Sequence, residues 1–351
     1  MSSDKMLNNT LFISTKNFPL CSILRIIGYY FIVLWITGMI LNGSVLYILV
    51  RNKKLRQSST NILIGGLLLA DLIGTYFEIP LPTFSLLSCR WIFTYTGCVF
   101  EAMIVYFAGC SNIYMLCLIS IDRYRKIIRP FSAQKANIKQ TYLTIAVAYL
   151  LSLFWTVMPL LGWSDYDYEG IRISCSIKWT GRSFNIISYN ITIFIFVYLV
   201  PITIIIVTNT KIYLSIRNRW QRSMLNLNCN RVKHQHKIER HILNTIILII
   251  GGYLIAWTPY AIIVFIRIFI DTDRIPAIVD TLPALFAKSS LAWNPFIYIV
   301  RNGNFRTHKP ILFPRQHPTQ CDKNSNKIKF SIYPYSLVQF NLPTRLHVRS
   351  G

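Results

Sequence analysis

Lys288 lies in the run Pro283–Pro295, beside Leu285, Phe286, Ala287 and Leu291, inside a stretch apolar enough to cross a membrane. A lysine at that depth cannot easily snorkel to either surface. It must be neutral, paired with a carboxylate, or covalently modified. Three acids lie in other apolar stretches: Asp71 and Glu78 in the second, and Glu101 near the end of the third. Helix rise sets their relative depths. Asp71 and Glu78 are separated by about 10 Å along a helix axis, and Lys288 and Asn294 by about 9 Å. If Asp71 and Asn294 share one level as polar partners, Glu78 and Lys288 share the next. Glu101 stands about 30 Å from Asp122 along the same helix, which brings it to the lysine's side of the membrane. Several carboxylates therefore converge on one buried amine. A lysine–glutamate bridge that only holds helices together would use the same residues.

The elements that must position these groups follow from composition. Of 351 residues, 53% are hydrophobic and 14% are charged, too little polar surface for a water-soluble chain of this length. A membrane helix needs about 20 mostly apolar residues. Seven stretches qualify, at roughly 26–50, 61–87, 97–121, 141–161, 184–209, 242–268 and 277–300. The expected fold is an all-α bundle of seven transmembrane helices, with no internal repeat of the kind that builds many transporters. The net charge of +24 sits between the apolar runs. That placement is the habit of a membrane protein and argues against nucleic-acid binding. No CxxC spacing points to zinc. Residues 1–25 lack the pattern of a cleaved signal peptide, so the first span is expected to act as an uncleaved signal.

Basic loops fix the orientation. Arg51–Arg56, then Arg123, Arg125, Lys126 and Arg129, then Arg217, Arg219, Arg222, Arg231, Lys233 and Lys237 lie on one side; Asp165, Asp167, Glu169, Asp271 and Asp273 lie on the other. The basic side is expected to face the cytoplasm and to attract anionic lipid, with the N-terminus outside. Residues 1–25 then form an extracellular N-terminus, where Asn8 in Asn8-Asn9-Thr10 is a glycosylation acceptor. Asn42-Gly43-Ser44 matches the same pattern but lies within a span. Cys98 and Cys175 fall on the outer, oxidising side, where a bridge would pin the loop after span four over the bundle. Cys21 and Cys89 are outer-side candidates for pairing as well. Cys110 and Cys117 read as small core residues.

Other residues suggest movement. Asp122-Arg123-Tyr124 closes span three, and Glu239 begins span six on the same side, so Arg123 and Glu239 can latch two helices. Pro259 in Trp257-Thr258-Pro259-Tyr260 removes a backbone hydrogen bond and kinks span six, with Trp257 as an aromatic wall. Asn294-Pro295-Phe296-Ile297-Tyr298 does the same in span seven.

Taken together, these residues resemble the rhodopsin-like G protein-coupled receptors, and within them the opsins, over about residues 26–306. Asn42, Leu69-Ala70-Asp71, Asp122–Tyr124, Pro201, Trp257–Tyr260 and Asn294–Tyr298 fit the motifs of spans one, two, three, five, six and seven. Opsins attach retinal to a lysine six residues before the span-seven asparagine, the place of Lys288. The resemblance therefore implies retinal, 11-cis or all-trans, held covalently as a protonated Schiff base in a pocket with Trp257 and Tyr260. Glu101, three residues after Cys98, matches one opsin counterion position; Glu169, in the loop Gly162-Trp163-Ser164 to Cys175, matches another; Glu78 is an additional acid. Phe154–Pro159 and Leu285–Ser290 look most like the peropsin, neuropsin and retinochrome-like opsins. The implied partners are a heterotrimeric G protein, arrestin and a receptor kinase, at the cell membrane. The expected function is light reception, not enzymatic catalysis; the alternative is a retinal photoisomerase of the retinochrome type.

Several positions depart from the family pattern. Tyr149 stands where span four usually has tryptophan, Asn209 replaces a span-five tyrosine, and Ala256 replaces a frequent cysteine. Asn302–Arg306 starts an amphipathic eighth helix that Pro310 and Pro314 interrupt. Residues 307–351, with Cys321 as a palmitoylation candidate, are expected to form a disordered cytoplasmic tail. Asn209 and the interrupted helix lean toward the isomerase, and intact Asp122–Tyr124 and Glu239 toward signalling.

Overall fold

The computed structural model describes residues 18–53, 55–129, 138–179, 181, 183–226, 230–269 and 276–301. Asn8, the start of the eighth helix and the tail 307–351 with Cys321 lie outside the described residues. Seven helical spans appear among them. They are α1 (Phe18–Arg51), α2 (Ser59–Phe77, resumed over Pro80–Leu87), α3 (Tyr95–Ile128) and α4 (Ile138–Val157). Next comes α5 (Phe184–Ile193, a π-helical turn at Phe194–Leu199, then Val200–Asn226), followed by α6 (Asn230–Phe269) and α7 (Ala277–Lys288 and Ser290–Arg301). Long apolar runs form helices because lipid offers backbone groups no partners. Six of these stretches, from Cys21–Arg51 to Lys237–Ile268, are long and apolar enough to cross a membrane. The seventh is divided at Ser289. The helices also outrun the apolar stretches, so Glu239 lies well inside α6 rather than at its start.

Two breaks fall at functional side chains. Pro80 has no N–H to give, and α2 is rewound just before it. Glu78 and Ile79 both donate to the Gly74 carbonyl, at 2.9 and 3.3 Å, and Leu81 donates to Glu78 at 3.3 Å. In α7, Ser289 donates to Phe286 at 3.0 Å and Ala292 to Ser289 at 3.2 Å, a tight turn directly after Lys288. Each break re-aims the residue that precedes it.

Between α4 and α5 the chain forms an antiparallel hairpin, β1 (Tyr166–Glu169) against β2 (Ser174–Ile177), with Tyr168 opposite Cys175. The Cys98–Cys175 disulfide anchors it to α3, and a second bridge, Cys21–Cys89, ties α1 to the end of α2. At the hairpin turn Gly170 has φ +49°, and a Cβ there would strike Thr281 and the Ala277 carbonyl of α7. Ile171 N–H donates to the Thr281 hydroxyl at 3.1 Å. The hairpin is thus fastened to α3 on one side and α7 on the other.

α3 runs through the middle of the bundle, packed on α2, α4 and α5. Its core includes Leu67, Leu68, Met115, Leu116, Ile249 and Ile250. Ile36, Val147, Leu150 and Ile255 point outward, as lipid-facing residues do. Polar groups add directional ties. Asp71 accepts from Asn112 at 2.6 Å and Asn294 at 2.9 Å, and Asn42 donates to the Leu291 carbonyl at 2.9 Å. That hub joins α1, α2, α3 and α7, and puts Asp71 and Asn294 at one level, the premise from which helix rise sets Glu78 level with Lys288.

Candidate functional site

Lys288 is buried at 4% exposure, with its Nζ 2.9 Å from Glu101 Oε1 and 3.2 Å from Glu78 Oε1. Both acids are themselves buried, Glu101 completely. Three helices thus deliver one cation and two anions to a single point away from water. Isolated buried charges are untenable, so each member depends on the others. Glu101 is further held by the hairpin: its Oε2 accepts from Cys175 N–H at 2.8 Å and its Oε1 from the Ser174 hydroxyl at 3.2 Å. The disulfide therefore does more than pin a loop. It delivers a backbone N–H to the carboxylate that faces the amine.

Glu169 is the third acid. It sits in the hairpin, outside the spans, buried at 7% exposure and lining one cavity with Tyr260 and Ser176. Burial pushes its carboxyl up to about 7, with the nearby Lys288 ammonium acting in the opposite direction. It faces the same cavity as Lys288 without a direct ion pair among those described.

That cavity, of about 10 Å³, is lined by Val105, Trp257, Tyr260, Ala284 and Ala287 as well as Lys288 and Glu169. Trp257 Nε1 donates to Ser290 Oγ at 3.0 Å, and its ring stacks on Tyr253. A Cβ at Gly109 would lie 2.7 Å from Trp257 Cη2, so only glycine leaves the indole its place. Tyr260 accepts from Trp179 Nε1 at 2.9 Å and pairs with Tyr106 at 3.2 Å. An aromatic cleft ending on a primary amine suits an apolar aldehyde. The amine can bond the carbonyl carbon while the rings cover the hydrocarbon.

At the opposite end of the bundle, Asp122 accepts from Ser59 at 2.7 Å and Thr60 at 2.5 Å and pairs with Lys126 at 2.9 Å. Glu239 pairs with Arg219 of α5 at 3.4 Å. Arg123 is half-buried, and Tyr124 packs on Ile212, Ile216 and Leu243. Asn294, Pro295 and Tyr298 are buried in α7. Asn209 donates to Ser120 at 3.1 Å, an α5–α3 tie. Tyr149 donates to the Gly66 carbonyl at 2.5 Å, so it links α4 to α2 from the position where tryptophan was expected.

Sequence reasoning singled out Lys288 and its three acids but missed Ser174, which holds Glu101, Trp179, which holds Tyr260, and the bond from Trp257 to Ser290. A signal was present for the hairpin: Tyr166-Asp167-Tyr168-Glu169 alternates aromatic and acid at strand period.

The description "7 transmembrane receptor (rhodopsin family)" matches residues 41–298. The "Compound eye opsin BCRH2" of Hemigrapsus sanguineus is 32% identical over 312 residues, 86% of this chain and 82% of that protein. The chain belongs to the opsins, within the rhodopsin family of seven-transmembrane receptors. Mouse Opsin-5 is 30% identical, covering 92% of this opsin and 87% of its own length. The crystal structure of squid rhodopsin superposes with a TM-score of 0.75 at 28% identity, covering 82% of this chain and 84% of that one. This opsin is therefore a multi-pass membrane receptor and not an enzyme. Its similarity is spread over a compound eye pigment and an Opsin-5 alike, and the isomerase alternative gains nothing from them.

Proposed function

We propose that this opsin is a light-sensing receptor whose chromophore is joined to Lys288. The observation that carries the reading is the Lys288 amine, buried in an aromatic cavity between Glu101 and Glu78. Retinal, held through its aldehyde carbon as a protonated Schiff base, supplies absorption of visible light and a change of shape on isomerisation. Glu101 is the principal counterion, because its carboxylate is nearest to Nζ and is held by two further hydrogen bonds from the hairpin. Glu78 is the second anion at the same nitrogen, and Glu169 the third charge at longer range.

The hairpin end faces outside and the Asp122 end the cytoplasm. Arg51, Lys53, Arg56, Arg125, Lys126 and Arg129 crowd the latter, while Asp165, Asp167 and Glu169 lie at the former. Trp257, wedged by Gly109 and bonded to Ser290, feels any change of shape in the cavity. Pro259 gives α6 its weak point two residues further on. Movement of α6 separates Glu239 from Arg219 and from the neighbourhood of Arg123, opening a cytoplasmic groove to a heterotrimeric G protein. Asp122, Tyr124, Asn294, Pro295 and Tyr298 hold the resting arrangement through the contacts described above.

Substitution of Lys288→Ala tests the reading. The purified variant, mixed with retinal, should show no visible absorption band, while the parent chain shows one that shifts on illumination. A visible pigment formed by the variant would overturn it.

A further inference from the structure

A second cavity lies on the hairpin side of the first. It measures about 300 Å³, and it is walled by β1–β2 and by the hairpin ends of α6 and α7. Glu169, Ser176 and Tyr260 line both cavities, so these three side chains are the partition between them. The partition is one residue thick: Tyr260 accepts from Trp179 Nε1 at 2.9 Å, the Ser176 hydroxyl donates to the Ile177 carbonyl at 3.1 Å, and Glu169 is buried between the two cavities. Beyond it the walls carry charge of both signs. Arg267 of α6 binds Asp280 of α7 through two contacts, at 3.0 and 2.5 Å, and Arg172 and Lys178 face them from the hairpin. A route for apolar molecules from lipid would have apolar walls. Roomy polar cavities hold water, and this one reaches within one side chain of the Lys288 cavity.

We propose that this vestibule is an aqueous port, through which water and small polar solutes of the outer medium cross the Glu169–Ser176–Tyr260 layer and reach the Lys288 amine. Most enclosed reactive sites exclude water to protect what they hold. Here the hairpin covers the amine but leaves a polar side door, which gives water from one face of the membrane access to the Lys288–retinal bond. The chemical class the port admits is the small, soluble nucleophile.

The inference rests on the Lys288 reading only in one of its two tests. In the first, hydroxylamine is added in darkness to the retinal-loaded opsin. Its nitrogen takes the retinal carbon as the oxime and returns Lys288 as the free amine, so the visible band disappears. The loss should slow several-fold in Ile263→Trp, which fills the vestibule wall without touching the amine; a band stable to hydroxylamine in the dark would overturn the port. In the second, retinal-free Ala287→Cys is displayed on intact cells and treated from outside with a small cationic, membrane-impermeant thiol reagent. Labelling should exceed that of the parent chain, whose free thiols among the described residues, Cys110 and Cys117, are buried, and should fall when Ile263→Trp is added. Ala284→Cys, in the same cavity, replaces it if that variant fails to reach the surface. Labelling no faster than the parent overturns the port. Labelling in a chain that forms no pigment leaves the port standing and removes the Lys288 reading.

Discussion

Two carboxylates share one amine at Lys288, and a third stands behind them. The three acids differ in how they are held, which separates their roles. Glu101 has hydrogen bonds from Cys175 N–H and Ser174 in addition to the amine, while Glu78 has the amine at 3.2 Å. Charge-assisted hydrogen bonds that are already in place hold an anion where it is needed. In the retinal-loaded protein, Glu101→Gln should convert the visible band to a near-ultraviolet one at lower pH than Glu78→Gln or Glu169→Gln does. Titration of the four spectra checks this ordering, and an equal or larger effect at Glu78 would reassign the principal counterion. Glu169 carries a separate expectation. Its folded value, about 7, lies above the ordinary 4.5, so the folded chain holds a proton there that the unfolded chain releases. That stabilisation is complete below about pH 4.5 and is lost as pH rises through about 7, with a ceiling of a few kcal/mol. Thermal unfolding of the retinal-free protein should therefore show a pH slope across that window, absent in Glu169→Gln.

At the scale of elements, the depth of each polar group was legible from sequence, because helix rise is nearly constant. Once Asp71 is set level with Asn294, counting residues puts Glu78 level with Lys288, and both pairs meet. The breaks were not legible as such. Hydropathy reports which stretches are apolar, and a rewound turn at Gly74–Ile79 or at Ser289 leaves that pattern unchanged. Pro80 marked a disturbance in α2, but nothing marked Ser289. The hairpin's alternation was legible, but the burial of Glu169 was not: Tyr166 and Glu169 are both buried, out of step with that alternation, because Glu169 lines a cavity with Tyr260 and Lys288 of other elements. Long-range hydrogen bonds, such as Trp257 to Ser290, have no local signature at all. Gly109 lies where α3 admits the Trp257 ring. Gly109→Ala places a methyl group 2.7 Å from the indole, and overpacking of this sort costs about 1–3 kcal/mol. We expect a lowered thermal midpoint together with a displaced visible band, since the ring that must move lines the cavity; unchanged values of both would show that α3 yields instead.

At the scale of the whole molecule, one end is tied by charge and the other by covalent bonds. The Asp122 end of α6 is held to α5 through Glu239 and Arg219, a partly exposed pair at 3.4 Å. Such pairs contribute under about 1 kcal/mol. Glu239→Gln should therefore raise nucleotide exchange on the G protein in the dark by a few-fold at most, without altering the absorption spectrum. A spectrum that moved with it would mean that the two ends are coupled more tightly than these contacts imply.

The second bridge, Cys21–Cys89, has a mechanical meaning in this setting. α1 is stapled to α2 and the hairpin to α3, both at the end that holds the amine, while the described residues carry no disulfide at the end of Asp122. A bundle fixed in that way behaves as a tuning fork gripped by its stem: a push near Trp257 is absorbed very little where it is applied, and its amplitude appears at the free tines.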